Sequence, residues 1–150
     1  MMEFRKFDRS TVDLVPYVKN YIANQPNTEI LVGCDSQNRG RFTSYAIVVV
    51  LYEPGHGGHV IYRRMKENRE KVRGVRLMNE VWKSVEVANL LRDNGLKIKY
   101  IDIDINPSPK FKSNEVYESA CGLVKGCGFE CRYKTLAPLC TTMADWMARS

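Results

Sequence analysis

Three β-type runs precede the first long helix of this chain, and that order constrains its fold more than any other feature. Thr28 to Asp35 (TEILVGCD) is short and mostly apolar, is bounded by the polar SQNRGR stretch, and reads as a strand buried on both faces. Thr43 to Glu53 (TSYAIVVVLYE) is rich in β-branched and aromatic residues, as strands are. Pro54-Gly55-His56-Gly57-Gly58 is a turn, and His59 to Arg64 (HVIYRR) returns as a third strand. Val75 to Asn94 is then a long helix, with Leu77, Met78, Val81, Val85 and Ala88 on one face and Gly95 where a left-handed residue ends it. Leu96 to Ile105 alternates as a strand, Ser113 to Lys125 reads as a helix, Phe129 to Lys134 as a short strand, and Pro138 to Arg149 as a last helix. The order implies an α/β fold: a mixed five-stranded sheet, its first three strands antiparallel, flanked by helices. The crossover from the Asp35 strand to the Asp104 strand should be a right-handed parallel unit.

Ahead of the sheet, Ser10 with Asp13 makes a short capping box for an extra N-terminal helix striped by Leu14, Val15, Val18, Tyr21 and Ile22. No repeat or linker divides the chain, so residues 1–150 read as one domain with a core over about 28–149 and a helical extension over 1–27. The longest purely apolar run, Ala46 to Tyr52, is seven residues, against the roughly 20 that a spanning helix needs. No membrane partner is expected. The charged N-terminus lacks the apolar stretch of a signal peptide, and five Cys is an odd number, so reduced thiols and a cytoplasmic setting are expected.

Charge narrows the choice of partner. Lys and Arg number 23 against 17 Asp and Glu, a formal net charge of +6. Seven of the bases, Arg63, Arg64, Lys66, Arg69, Lys71, Arg73 and Arg76, lie in one short segment with only Glu67 and Glu70. A solvated charge run is the ordinary reading of such a segment, but an acid-lined site beside it would make it a surface for an anionic polymer.

Acids do occur where acids are costly. Asp35 ends an apolar strand, where an unpaired buried carboxylate costs several kcal/mol. Capping of the turn into Ser36-Gln37 is the structural alternative. Asp102 and Asp104 are two apart on an alternating strand and so share a face, while Ile101, Ile103 and Ile105 take the other. Glu80 borders the apolar face of the long helix, and matching strand and helix rise counts back to about Trp82, close to Glu80, as the level of Asp102. Asp145 falls in the last helix. Converging at one end of a sheet, such acids would need cations, and carboxylate oxygens suit Mg²⁺ or Mn²⁺. Two ions about 4 Å apart would clamp the attacking and leaving oxygens of a phosphodiester displacement.

This pattern resembles the ribonuclease H-like superfamily, and within it the YkuK-like group of predicted ribonuclease H-like nucleases. The resemblance rests on Val32-Gly33-Cys34-Asp35-Ser36-Gln37, on Arg76-Leu77-Met78-Asn79-Glu80 opening the long helix, and on Ile101-Asp102-Ile103-Asp104-Ile105-Asn106. It implies a ribonuclease H-like sheet in which Asp35, Glu80 and Asp104 bind metal and serve catalysis, with Asp102 and Asp145 as further metal-site acids. The implied substrate is nucleic acid, whether RNA, DNA or hybrid, with Arg63 to Arg76 on its phosphates. A nucleic-acid-binding module of the same fold without catalysis is the alternative, because fold alone does not set activity.

Other residues carry less. His56 and His59 read as a polar hairpin tip, Gly122, Gly126 and Gly128 as helix terminators, and Cys121, Cys127, Cys131 and Cys140 lack paired CxxC spacing. Tyr45, Tyr52, Tyr62 and Tyr100 read as core, with Phe42 and Tyr62 near enough to the basic segment to stack on bases.

Overall fold

The computed structural model describes residues 2–103 and 114–133. Asp104, the helix expected over Pro138 to Arg149 with Asp145 in it, Cys140 and the expected cap Ser113 lie outside the described residues. The elements are β1 (Glu3–Arg5), β2 (Thr11–Asp13), α1 (Leu14–Asn24), β3 (Glu29–Arg39), β4 (Phe42–Glu53), β5 (Gly57–Asn68), α2 (Arg73–Asp93), β6 (Ile98–Ile103), α3 (Asn114–Gly126) and β7 (Cys131–Tyr133). They build one mixed sheet in the order β2-β1-β5-β4-β3-β6-β7. β3, β4 and β5 are antiparallel, and β6 joins β3 in parallel, as the βαβ order requires.

The sheet has seven described strands where five were expected. The two additions are three-residue strands at the N-terminus, too short to show a period. β1 extends the sheet beyond β5 through Arg5 opposite Tyr62 and fully buries Phe4. The capping box also needs correction. α1 starts at Leu14 with Asp13 at its cap position making no side-chain cap bond, while Ser10 donates its N–H and hydroxyl to Asp8.

β3 and β4 run past the apolar residues that first suggested them. Pairing continues through Gln37–Ser44, Asn38–Thr43 and Arg39–Phe42, so the connection is Gly40-Arg41 alone. Gly40 has φ 56, the positive value that the first position of a II′ hairpin turn demands. β5 likewise continues to Asn68. Apolarity stops where the core stops, whereas main-chain pairing does not, and the result is a polar three-strand arm.

The β3–β4 register is unbroken from Glu29 to Arg39, so alternation assigns side chains to faces. On the first face Ile30, Val32, Cys34, Tyr45, Ile47, Val49, Leu51 and Ile61 join residues of all three described helices, among them Leu14, Val18, Val81, Val85, Ala88 and Val124. On the second, Leu31, Ala46, Val48, Val50, Val60 and Tyr62 form a separate cluster. No helix among the described residues is long and apolar enough to cross a membrane.

Two polar contacts fasten the sheet's margins. His59 lies within β5 opposite Leu51, not in the turn, which is confined to Pro54-Gly55-His56. The hydroxyl of Tyr17 in α1 is hydrogen-bonded to Nε2 of His59 at 2.6 Å, and Tyr21 stacks on the same ring at 5.5 Å. At the other margin Asp102 and Arg132 are register partners on β6 and β7, and Arg132 donates Nε to Oδ1 at 2.9 Å and Nη2 to Oδ2 at 3.1 Å. The Asp102 side chain is fully buried, and the guanidinium lies over the Tyr100 ring.

Burial, aided by the charge of Lys6, holds His59 below the usual imidazole pKa. A lowered base binds its proton more readily when unfolded, so this contribution is intact above about pH 6.5 and fades as the pH falls below it. Denaturant midpoints should show His59→Gln less stable than the parent at pH 7.5, with the gap narrowing toward pH 5. Arg132→Met, which strips the Asp102 carboxylate of its forked partner, should cost about 3 kcal/mol in chemical denaturation, and adding Asp102→Asn should recover part of that loss.

Candidate active site

The helix α2 buries one stripe, Leu77, Glu80, Val81, Ser84, Val85, Ala88 and Leu91, at helical spacing. Glu80 sits inside that stripe, 4% exposed, while Trp82 is turned outward and half exposed. An acid in and an indole out reverses the hydrophobic preference, so a specific contact must hold the carboxylate. Ser36 of β3 supplies one, its hydroxyl donating to Oε2 of Glu80. Arg76, one turn earlier, donates from Nη1 to the Ser36 carbonyl at 3.4 Å, while its buried Nε finds no partner.

A polar clasp brings this end of α2 to β3. Thr43 donates its hydroxyl to Oδ1 of Asn38 and accepts the Glu70 N–H, and the Asn38 amide donates to the Glu70 carbonyl. The link from β5 to α2 is thus tied down on both sides of Glu70. Beside Glu80, Asn79 donates to the hydroxyl of Tyr45, and Lys83 lies 4.6 Å from the Tyr45 ring centroid. Burial raises the Tyr45 pKa, and the charges of Glu67 and Glu80 push the same way against the Asn79 bond.

Asp35 precedes Ser36 and, by alternation, lies on the opposite face of β3, with Leu31 and Gly33. It is 5% exposed, and its Oδ1 accepts the Ser36 N–H at 2.8 Å. That is the contact expected of a turn cap, yet the strand does not turn there and continues to Arg39. Asp102 shares the second face, since it pairs with Gly33, two residues before Asp35. Glu80 therefore meets β3 next to Asp35 from the first face, while Asp35 and Asp102 share the second.

The basic segment divides as well. Arg64 aligns with Ala46, and Ala46 with Asp35, so Arg64 is on the Asp35 face, with Lys66 one row further out. Arg63 is on the first face and donates to the Glu3 carbonyl. Arg69 donates to the Gly40 carbonyl at the hairpin turn, Lys71 follows in the link, and Arg73 and Arg76 open α2.

Ser36 and Arg132 are site residues that pattern reading passed over. Ser36 carried a signal, a hydroxyl next to a strand Asp, but only the fold shows that it reaches Glu80. Arg132 lies in a three-residue strand and had none. The thiols Cys121 and Cys131 lie 2.8 Å apart between α3 and β7, and burial pushes Cys131 up to about 12, so it is protonated at neutral pH.

For a divalent cation the fit is one of donor chemistry. Asp35 from β3 and Glu80 from α2, the latter through its bond to Ser36, offer only oxygen, the donor of Mg²⁺ and Mn²⁺. Among the described residues no group of three or more His, Cys, Asp or Glu converges. Two of the three principal acids are thus in view, and the third, Asp104, lies outside them.

A family model described as Ribonuclease H-like matches residues 13–149, a span that takes in α1 as well as the sheet from β3 onward. No curated protein matches the chain. Among solved structures, the N-terminal RNase H domain of rv2228c from Mycobacterium tuberculosis, determined as a fusion with maltose-binding protein, is similar at 14% identity and a TM-score of 0.41. The match covers 81% of this chain and 99% of that one. With nearly all of its length from the end of β2 matched, the chain belongs to the ribonuclease H-like family.

Proposed function

We propose that this protein is a divalent-metal-dependent nuclease that hydrolyses phosphodiester bonds in nucleic acid, with Asp35, Glu80 and Asp104 as the catalytic, metal-holding acids. The observation that carries this reading is that two buried acids are tied to consecutive residues of the central strand from its two faces, Asp35 in the chain itself and Glu80 through its bond to Ser36. Asp104 follows Asp102 by two residues, as Asp35 follows Gly33, the partner of Asp102. Sequence spacing favours Asp104 as the strand ligand, with Asp102, whose two oxygens accept from Arg132, as the assisting acid. Asp145 is the auxiliary acid of the last helix.

Bound Mg²⁺ or Mn²⁺, in the two-ion form, would polarise the phosphate, lower the pKa of an attacking water and stabilise the leaving oxyanion. The chain's own groups prepare that chemistry. Ser36 orients Glu80, and Arg76, with an unsatisfied Nε close to the Ser36 carbonyl, brings positive charge beside the acids. Arg63, Arg64, Lys66, Arg69, Lys71 and Arg73 supply the remaining phosphate contacts, which give affinity without sequence choice.

Asp35→Asn keeps an acceptor for the Ser36 N–H but removes a ligand charge. Cleavage of labelled single strands, duplexes and hybrids with either metal should fall at least about 100-fold, the scale of losing one preorganised electrostatic partner. Stability in chelator should stay equal or rise, because a buried side chain loses its charge while keeping its acceptor. Loss of stability with cleavage intact would return Asp35 to a structural role. Salt-sensitive binding by the parent, with no cleavage under either metal, would identify an inactive binding module of the same fold.

A further inference from the structure

The arm formed by the outer ends of β3, β4 and β5 has a definite composition on the Asp35 face. Register and alternation set out its rows. The outermost holds Arg39, Phe42 and Asn68, the next Gln37, Ser44 and Lys66, and the third Asp35, Ala46 and Arg64. Arg39, Arg64 and Lys66 are exposed, and Asp35, the acid of these rows, is buried. Glu67, being odd in the β5 alternation, lies on the first face and pairs with Lys83.

Two features have no structural explanation. Phe42 is 47% exposed in a strand, flanked in its row by Arg39 and Asn68 rather than by apolar neighbours. In the middle row the Ser44 hydroxyl, 4% exposed with its residue, has no hydrogen-bond partner among the described residues. A wet aromatic ring beside exposed cations is the chemistry that takes up an unpaired base and the phosphates that follow it. From Phe42 to Ala46 is four residues, about 14 Å at strand rise, so a base on Phe42 lies only a few nucleotides from Asp35.

We propose that this strip binds single-stranded nucleic acid, with Phe42 stacking an unpaired base and Arg39, Arg64 and Lys66 holding the phosphates that run toward Asp35. The inference rests on the nuclease reading for its direction and adds the substrate class to it: a strand whose bases are free to stack, not a closed duplex.

The test is fluorescence anisotropy with the full chain in chelator, using oligo-dT, oligo-U, an abasic oligomer of equal length and a blunt duplex. Phe42→Ala should weaken binding of both single strands about tenfold, the effect of removing one stacking platform, and leave the salt dependence unchanged. Phe42→Trp should restore the affinity, and the abasic oligomer should bind parent and Phe42→Ala alike. Arg64→Ala and Lys66→Ala should each reduce the salt slope by about one. If Phe42→Ala binds single strands as the parent does while the arginine and lysine variants weaken them, stacking is overturned and the nuclease reading stands. An equal loss on the blunt duplex would overturn the single-strand assignment. If the parent binds none of the probes in a salt-sensitive way, both the strip and the nucleic-acid reading fall.

Discussion

The structure depends on β3 being hydrogen-bonded on both edges and covered on both faces. It is antiparallel to β4 and parallel to β6, and every side chain from Ile30 to Ser36 is buried. In such a strand a polar residue persists only if its surroundings answer it. Asp35 and Ser36 are consecutive, so one of each pair of answering groups comes from each side of the sheet. The helix answers Ser36 with Glu80, a polar contact inside the apolar stripe by which α2 packs on the sheet. A carboxylate in the apolar stripe of α2 and a tryptophan outside it are the same fact seen from the helix: the position facing Ser36 was not available to a hydrophobic side chain.

Much of this was legible in the chain. The order of strands and helices follows from apolar runs and from turn residues such as Gly95, whose φ of 86 is the left-handed value expected. Matching strand and helix rise set Glu80 against the level of Asp102, whereas its contact is with Ser36 of β3, on the other face of the sheet. What could not be read were features with no periodic signal. β1 and β2 are three residues each, and the hairpin arm is polar, so neither repeats a pattern. The division of acids between faces was also hidden, because it depends on which residues of β3 pair with β6, and Lys99 is bypassed where that register shifts. Alternation within a strand is local, whereas its alignment with a distant partner is not.

The basic surplus shows how misleading proximity in sequence can be. Arg63 and Arg64 are neighbours in the chain but point to opposite faces, one toward the N-terminal strand and the other into the row of Asp35. A run of seven bases is therefore not a single patch. It is a band that runs from one side of the sheet, around the outer end of β5, to the start of α2.

The two hairpin connections differ in what they tolerate. Pro54-Gly55-His56 lies at the far end of the meander from Asp35, so homologues could lengthen it without disturbing the dipeptide. Gly40-Arg41 is the shortest loop that can join antiparallel strands. A residue inserted between Gly33 and Asp35 would have no nearby slack to absorb it, and would exchange inward and outward positions for everything beyond. Ser36 would then occupy the side now held by Asp35, and Asp35 would be presented to Glu80, two like charges in place of donor and acceptor. Insertions and deletions in natural relatives should accordingly be absent from this stretch even where its individual residues vary.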